Sequence, residues 1–267
     1  MFGWFTACCP CDPAAKEWIE RRLAWLTRQF PSNVFTDRPL VLPTPEFFPE
    51  PCEPTKESAR ALLDRICGFM GVSTSRVVLR FQRDSTKTLL VNNRGDYVPL
   101  QTAGTYLRVH RRYVITLDAD ALYHPADLTT TMDHELAHAR LLGEGRTRYG
   151  RYDSELLTDL TACFLGFAIF QANSPRVWKS TFTKWPGTNY NKPKYTTPPM
   201  FGYMLGHLAW FQGQKKPPWS RHLAPCVIND FRDAAAFLFK TEDSTFKPAR
   251  LAARPLGERS EWDSSKE

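Results

Sequence analysis

Residues 131–140 of the chain read Thr131-Met132-Asp133-His134-Glu135-Leu136-Ala137-His138-Ala139-Arg140. They contain a His-Glu-x-x-His pattern. On a helix, residues four apart share one face, so His134 and His138 can offer both imidazoles to one metal ion. Glu135 follows His134 by about 100° around the helix axis, where its carboxylate can take a proton from a water on the metal. The pattern therefore predicts a metal-binding helix that carries its own base.

The flanking sequence favours a buried helix over a solvated one. Residues 113–117 have the composition of a strand, and Pro125 suits the first turn of a helix. The helix would also carry apolar residues that need a core: Leu128, Met132, Ala139 and Leu142. The alternative is a surface helix with two solvated histidines and an ordinary glutamate. The preceding strand and the apolar faces argue for the metal site.

The motif resembles that of the zincin metallopeptidases. Their pattern has uncharged residues around the two histidines, and most neighbouring positions here comply, except that Arg140 stands where a hydrophobic residue is usual. The metzincin group is excluded because no His follows Gly143 at the spacing that this group requires. The resemblance implies one zinc ion (Zn2+) held by His134, His138 and a third protein ligand, with Glu135 as the general base.

A candidate for the third ligand lies in residues 153–160, which read Asp153-Ser154-Glu155-Leu156-Leu157-Thr158-Asp159-Leu160. Glu155 and Asp159 are four apart and hence on one helix face. They resemble the Glu-x-x-x-Asp of the gluzincins, the thermolysin-like group, which implies that Glu155 binds zinc and that Asp159 orients His134 by a hydrogen bond. The separation from His138 is slightly shorter than in thermolysin-like enzymes, so Asp159 as the metal ligand is the competing assignment.

Two features further along the chain have a possible place in such a site. Thermolysin-like enzymes put a Tyr or His donor near the developing oxyanion, and Tyr203 is the candidate here, in a predicted helix that begins at Pro198. The alternative for Tyr203 is core packing with a paired hydroxyl. The preceding stretch, Thr183 to Pro198, is long and polar and carries aromatic and lysine residues. It is predicted to be a lid or wall of the cleft, with an ordinary surface loop as the alternative.

Composition and charge limit the class of protein. With 42% hydrophobic and 13% aromatic residues the chain can build a sizeable core. No apolar run approaches the roughly 20 residues of a membrane span, and the N-terminus does not resemble a secretory signal. We therefore expect a cytoplasmic protein without a membrane partner. The net charge of +7 is spread along the chain and no recognition module is present, so no nucleic-acid partner is expected.

Two clusters of residues remain ambiguous. An odd number of cysteines, seven, does not suggest a disulfide framework. The close group Cys8, Cys9 and Cys11 lacks the partners of a tetrahedral metal site, so a thiol-bearing chain end is favoured. Between the two ligand segments lie four arginines, which either favour an anionic substrate group or pair with nearby carboxylates: Arg140, Arg146, Arg148 and Arg151.

The order of predicted elements indicates an α+β, zincin-like fold. A helix, a proline-rich strap and a second helix precede a small, mostly antiparallel sheet of about four strands within residues 76–117, followed by the motif helix and the Glu155 helix. We assign residues 1–53 to an N-terminal helix and strap, 54–252 to the zincin-like metallopeptidase domain and 253–267 to a disordered tail. The strap, with Pro43-Thr44-Pro45-Glu46-Phe47-Phe48, resembles that of an uncharacterised bacterial family.

These observations predict a zinc-dependent hydrolase. The favoured form is a metallopeptidase that cleaves a peptide or protein substrate with one zinc ion per chain and Glu135 as the general base. Two alternatives stay open: a zinc hydrolase of non-peptide amides, and a catalytically silent zincin-fold binding or regulatory protein. The sequence does not determine the oligomeric state.

Overall fold

Local sequence signals set the boundaries of the helices. In the computed structural model, which describes residues 7–31, 34–82, 89–91, 97–99, 104–174 and 182–246, the Asp12 side chain caps the first helix by accepting from the backbone N–H of Ala14 and Ala15. The helices are α1 (Pro13–Gln29), α2 (Val34–Asp37), α3 (Lys56–Met70), α4 (Pro125–His138), α5 (Ser154–Ala162), α6 (Ala168–Ala172), α7 (Pro198–Phe211) and α8 (Pro225–Thr241). Thr55 caps α3, and Gly71, with a φ of 67°, ends it in the left-handed conformation.

The strands form one three-stranded sheet and two separate pairs within the described residues. The strands are β1 (Val77–Gln82), β2 (Leu89–Val91), β3 (Tyr97–Pro99), β4 (Gly104–Val109), β5 (Arg112–Asp118), β6 (Phe182–Lys184) and β7 (Asn191–Pro193). The order in the main sheet is β1-β5-β4, with β5 parallel to β1 and antiparallel to β4. Strands β2 and β3 pair antiparallel, as do β6 and β7. The predicted α+β class is confirmed. The alternation of apolar and polar residues along the chain did not reveal that β1 and β5 pair in parallel.

The metal-motif helix α4 is central to the core. From Leu128 to Ala137 every residue of it is buried. The helix is followed directly by a π turn, Ala139–Gly143, and α5 is likewise extended by a π turn, Cys163–Phe167. Inside the second turn Gly166 has a φ of 108°, which a residue with a Cβ rarely adopts. The carbonyl of Gly166 accepts from the backbone N–H of Val41, so this kink is where the strap region joins the core.

The strap, residues 42–54, is held by aromatic contacts as its sequence predicts. The ring of Phe47 lies 5.9 Å from that of Phe69 on α3, and the ring of Phe48 lies 5.6 Å from that of Phe170 on α6. Because the strap contains several prolines, these side chains rather than a backbone ladder fix its position.

Helix α1 is anchored to the segment that carries the predicted third ligand. Trp18 donates its indole N–H to the Asp153 carboxylate at 3.0 Å, and Arg22 pairs with the same carboxylate. Asp153 is buried and immediately precedes α5. The boundary drawn between residues 53 and 54 stays a prediction, but α1 shares one core with the later helices.

We expect Asp153→Asn to lower the free energy of unfolding by about 3–5 kcal/mol at pH 7, because it leaves the Arg22 guanidinium without its carboxylate. Burial raises the pKa of Asp153, but Arg22, Trp18 and Arg151 outweigh burial and hold that pKa below its ordinary value of 3.8. The stabilisation is therefore complete above the ordinary value and is lost as the pH falls through the folded-state pKa. Urea unfolding with chelator present should show the gap between wild type and variant narrowing from pH 7 to pH 3.

The matched control is Asp243→Asn, whose side chain is 64% exposed in its pair with Lys16. It should change the free energy of unfolding by less than about 1 kcal/mol. An Asp153→Asn effect of the same size at both pH values would contradict the assigned role of the carboxylate.

Three further expectations from the sequence concern the apolar helical run, the cysteines and the C-terminal tail. One helical run, Ser154–Ala172, is by length and composition apolar enough to cross a membrane, and 94% of its most apolar window is buried inside the fold, as in the core helix of a globular protein. No disulfide joins any of the seven cysteines, all of which lie within the described residues. The predicted tail, 253–267, lies outside the described residues.

Candidate metal centre

Helices α4 and α5 bring three ligand-type side chains together. His134 and His138 lie one turn apart on α4, with ring centroids 4.9 Å apart. Glu155, in the first turn of α5, places its Oε2 3.2 Å from His134 Nε2 and 3.8 Å from His138 Nε2. One ligand atom from each of the three residues lies within 4.8 Å of the others, so the group could hold a metal ion.

Hydrogen bonds behind the two imidazoles orient their Nε2 atoms toward this point. His134 Nδ1 lies 2.9 Å from Asp159 Oδ1, an acceptor, so the ring nitrogen donates and Nε2 keeps its lone pair. The Thr158 hydroxyl donates to the carbonyl of Ser154 at 2.9 Å and can therefore accept from His138 Nδ1 at 3.2 Å. Assigned from this network, both Nε2 atoms face Glu155 as acceptors.

The electrostatics of the group favour a cation. Two imidazole lone pairs and a carboxylate oxygen point at one another, which is repulsive unless a proton or a metal ion lies between them. Burial raises the pKa of Glu155, but hydrogen bonds and positive charge from His134 and His138, present when an imidazole carries the bridging proton, outweigh burial and hold that pKa well below its ordinary value. Two neutral imidazoles and one carboxylate form a donor set that suits zinc.

Asp159 lies behind His134 rather than in the group. Its Oδ1 faces His134 Nδ1, and its Oδ2 accepts from the backbone N–H of Thr196 at 2.9 Å. The carboxylate is thus buried and occupied on both oxygens. Of the two assignments left open by the sequence, the structure brings Glu155 to the ligand nitrogens and places Asp159 as the group that orients His134.

Glu135 supplies a further carboxylate on the same helix. It is 5% exposed, and among the described residues no group hydrogen-bonds or pairs with it. Strand β4 packs closely over it at Gly104, where an added Cβ would come within 2.6 Å of the Thr131 methyl and 3.1 Å of Glu135 Oε1. The lack of a side chain at Gly104 allows β4 to approach α4 this closely.

Two tyrosines line this region: Tyr195, an aromatic residue of the segment predicted to be a lid, and Tyr106, which the sequence did not single out. Tyr106 on β4 stacks on His138 with ring centroids 5.9 Å apart, and Tyr195 lies 6.4 Å from His134. Tyr195 directly precedes Thr196, whose N–H holds Asp159. Neither residue belongs to a motif, so only the pairing of β4 with β5 and the course of the chain after β7 reveal them.

Tyr203, by contrast, uses its hydroxyl in a hydrogen bond to Glu20 rather than at the metal group. It is fully buried, and its hydroxyl donates to Glu20 Oε1 at 2.6 Å. Burial and the neighbouring Glu20 carboxylate raise the pKa of Tyr203. The same carboxylate accepts from the backbone N–H of Thr245 at 2.9 Å. The structure therefore favours the packing alternative for Tyr203, and Tyr195 is the tyrosine that lies beside a candidate ligand.

The predicted lid segment contains more regular secondary structure than its sequence suggested. Strands β6 and β7 form a hairpin within it, and Trp185 is buried against Trp18 with ring centroids 5.8 Å apart. Trp185 is thus packing, whereas Tyr190 is exposed and Tyr195 reaches His134. This segment forms a wall beside the metal group, and its mobility as a lid stays a prediction.

The arginines between the ligand segments are mostly paired. Arg140 and Arg146 both contact Glu144, at 2.6 Å and 2.8 Å, and Arg151 contacts Asp153 at 3.3 Å. The structure thus favours ion pairing over binding of a substrate anion for these three.

Thr158 should matter for metal affinity although no motif includes it. Thr158→Val keeps the shape of the side chain but removes the acceptor for His138 Nδ1, and we expect metal affinity to fall by about 10- to 100-fold. Thr158→Ser retains the hydroxyl and should bind as wild type does. Competition against a chromophoric chelator measures both constants, and equal affinities for the Val and Ser variants would show that Thr158 does not orient His138.

No family model, no curated protein and no solved structure matches this chain. The likeness to zincins therefore rests on the motifs and on the geometry of the metal group.

Proposed function

We propose that this chain is a zinc-dependent hydrolase, most simply a metallopeptidase, built on a zincin-like arrangement. The observation that carries the proposal is the convergence of His134, His138 and Glu155 with both imidazoles fixed from behind. The order of sheet, His-Glu-x-x-His helix and Glu-bearing helix supports the zincin-like reading of the α+β fold. In this proposal His134, His138 and Glu155 would hold one zinc ion.

The residues around the group supply the remaining requirements of a hydrolase. When bound, zinc would polarise a carbonyl and lower the pKa of a coordinated water to about 7. Glu135, buried and without a partner among the described residues, would accept a proton from the attacking water and pass it to the leaving amine. Asp159 and Thr158 would keep the two imidazoles in the ligand tautomer. Tyr195 lies close enough to His134 to contact a substrate there.

The position of β4 supports a peptide as the substrate. Among the described strands β4 lies at the edge of the main sheet, and its Gly104 and Tyr106 face the metal helix. An extended peptide can add to such an edge through its main-chain hydrogen bonds. A non-peptide amide would not use the edge, and this difference separates the two hydrolase hypotheses.

The test is hydrolysis of a peptide library by the full chain, followed by mass spectrometry. We expect cleavage that disappears on removal of metal and returns with stoichiometric zinc. A panel of small acylated amines, incubated in parallel, reports on the non-peptide alternative. Turnover of these amines alone would replace the peptidase proposal. Absence of turnover on both, by protein that holds metal, would favour the silent binding protein.

A further inference from the structure

The cysteines just before α1 include a hydrogen-bonded pair that the proposed hydrolase does not use. Residues 8–12 read Cys8-Cys9-Pro10-Cys11-Asp12, and the chain bends at Pro10 and Cys11 immediately before α1 begins. The side chains of Cys9 and Cys11 hydrogen-bond to each other, and the Cys11 backbone N–H also donates to the Cys9 sulfur. Two sulfurs that are two residues apart in the chain are thus in contact without a disulfide between them.

The two thiols of this pair differ in exposure. Cys11 is only 9% exposed, and its thiol donates to the carbonyl of Pro199, at the start of α7, at 3.2 Å. Cys9 is half-buried, which leaves part of the residue open to solvent. A small molecule from solvent therefore meets the Cys9 sulfur first, and the Cys11 sulfur lies behind it.

The surroundings of the pair favour a thiolate on Cys9. The hydrogen bond from the Cys11 thiol, helped by the Cys11 backbone N–H and the Lys16 ammonium, holds the pKa of Cys9 below its ordinary value of 9.0, against burial and the Glu20 carboxylate. The same hydrogen bond, with burial, raises the pKa of Cys11 well above 9.0, so the proton of the pair stays on Cys11. Redox-reactive cysteines are thiolates that solvent can reach and that have a second thiol beside them.

Two thiols in the core show the opposite behaviour. Burial raises the pKa of Cys67 to about 12 and that of Cys163 well above its ordinary value of 9.0. Cys67 is fully buried and Cys163 is 4% exposed. Buried structural cysteines of this kind are chemically inert, so these two are packing residues.

We propose that Cys9 and Cys11 are a redox-active pair that a hydroperoxide oxidises to a disulfide and that thiols reduce again. In the first step the Cys9 thiolate attacks the terminal peroxide oxygen. An S–O bond forms, the O–O bond breaks, and the departing hydroxide or alkoxide takes a proton from water. In the second step the Cys11 sulfur attacks the Cys9 sulfur, an S–S bond forms, and the S–O bond breaks as water leaves with the Cys11 proton. The two thiols give up two electrons, which the peroxide accepts.

This disulfide would be suited to a reversible role. A bond between residues two apart closes a very short loop, and the gain from restricting the unfolded chain grows with loop length. Oxidation also removes the thiol proton that Cys11 donates to Pro199. Because exposed disulfides with little stabilisation are easily reduced by thiols, the pair can cycle between both forms. The assignment does not depend on the proposed hydrolase activity.

Thiol counting and mass spectrometry on the full chain test the pair. Limited hydrogen peroxide should consume both thiols and lower the mass of the tryptic peptide 1–16 by about 2 Da, the two hydrogens lost in a disulfide. Dithiothreitol should restore both thiols. The matched control Cys8→Ser removes an exposed neighbour and should leave this reaction unchanged. Adding Cys9→Ser or Cys11→Ser to that variant should abolish the disulfide.

Trapping the first intermediate identifies the thiol that reacts with the peroxide. In Cys8→Ser with Cys11→Ser, dimedone should label a sulfenic acid on Cys9 at least about threefold faster than on the exposed Cys226, because a lower pKa enlarges the thiolate fraction more than it weakens the nucleophile. Peroxide that reacts at Cys226 before Cys9, or a disulfide that requires Cys8, would overturn the proposal. If the double variant does not fold, the wild-type chain still decides: a pair that survives peroxide sufficient to oxidise Cys226 is not redox-active.

Discussion

The chain prepared without chelator should carry close to one zinc ion per molecule, and His134→Ala or His138→Ala should abolish this content. Each imidazole supplies one of three converging ligand atoms, so its loss leaves two ligands. Glu155→Ala should remove more metal than Asp159→Ala, because Asp159 acts through His134 and the loss of such a partner costs about 10- to 100-fold in affinity. Elemental analysis and chelator competition measure content and affinity.

A matched control for this experiment is His207→Ala. His207 is fully buried and bonded to Ser244 at 2.8 Å, away from the ligand group, so its loss should affect stability and leave the zinc stoichiometry of the folded fraction unchanged. If the wild-type protein still holds no metal after zinc has been supplied, the proposed metal site is wrong. Greater loss of metal from Asp159→Ala than from Glu155→Ala would transfer the ligand role to Asp159.

Glu135→Gln should reduce turnover of any cleaved peptide by at least about 10²- to 10⁴-fold, the usual contribution of a positioned base. The change keeps the size of the side chain and leaves every candidate ligand in place, so zinc content should match wild type. The measurement is the rate of library cleavage at equal zinc loading. Because Glu135 has no bonding partner among the described residues, the substitution breaks no contact that holds the fold.

Two outcomes would contradict this role for Glu135. Activity that survives the Gln substitution would show that another group takes the proton. A parallel loss of zinc and activity would show instead that Glu135 supports the metal. Glu144→Gln is the matched control, since Glu144 pairs with Arg140 and Arg146 outside the ligand group and should leave the rate unchanged.

The residues of the site that lie four apart on one helix could be predicted from the sequence. His134 with His138, and Glu155 with Asp159, are each one turn apart, and the structure sets the two pairs facing each other. The start of α4 at Pro125 and the two ends of α3, at Thr55 and Gly71, could also be predicted, because these boundaries depend on residues that are close in the sequence.

The contacts that could not be predicted join residues far apart in the chain. Trp18 and Asp153 pair across 135 positions, and no local pattern encodes that meeting. The parallel pairing of β1 with β5 also depends on what lies between the strands rather than on their own alternation. Tyr203 illustrates the limit: its helix was predicted, but its hydroxyl bonds to Glu20, on a helix at the other end of the chain.

The anchoring of α1 has a consequence for how the protein is made. Trp18 on α1 is synthesised 135 residues before its partner Asp153, and the Glu20 contact with Thr245 closes over a separation of 225 residues. Contacts of such long range form late, because the closure of large loops must precede them. The nascent chain therefore holds His134 and His138 for some time before the clamp on the Glu155 helix is complete. We expect tight zinc uptake to follow the closure of this clamp rather than the synthesis of the His134–His138 helix alone.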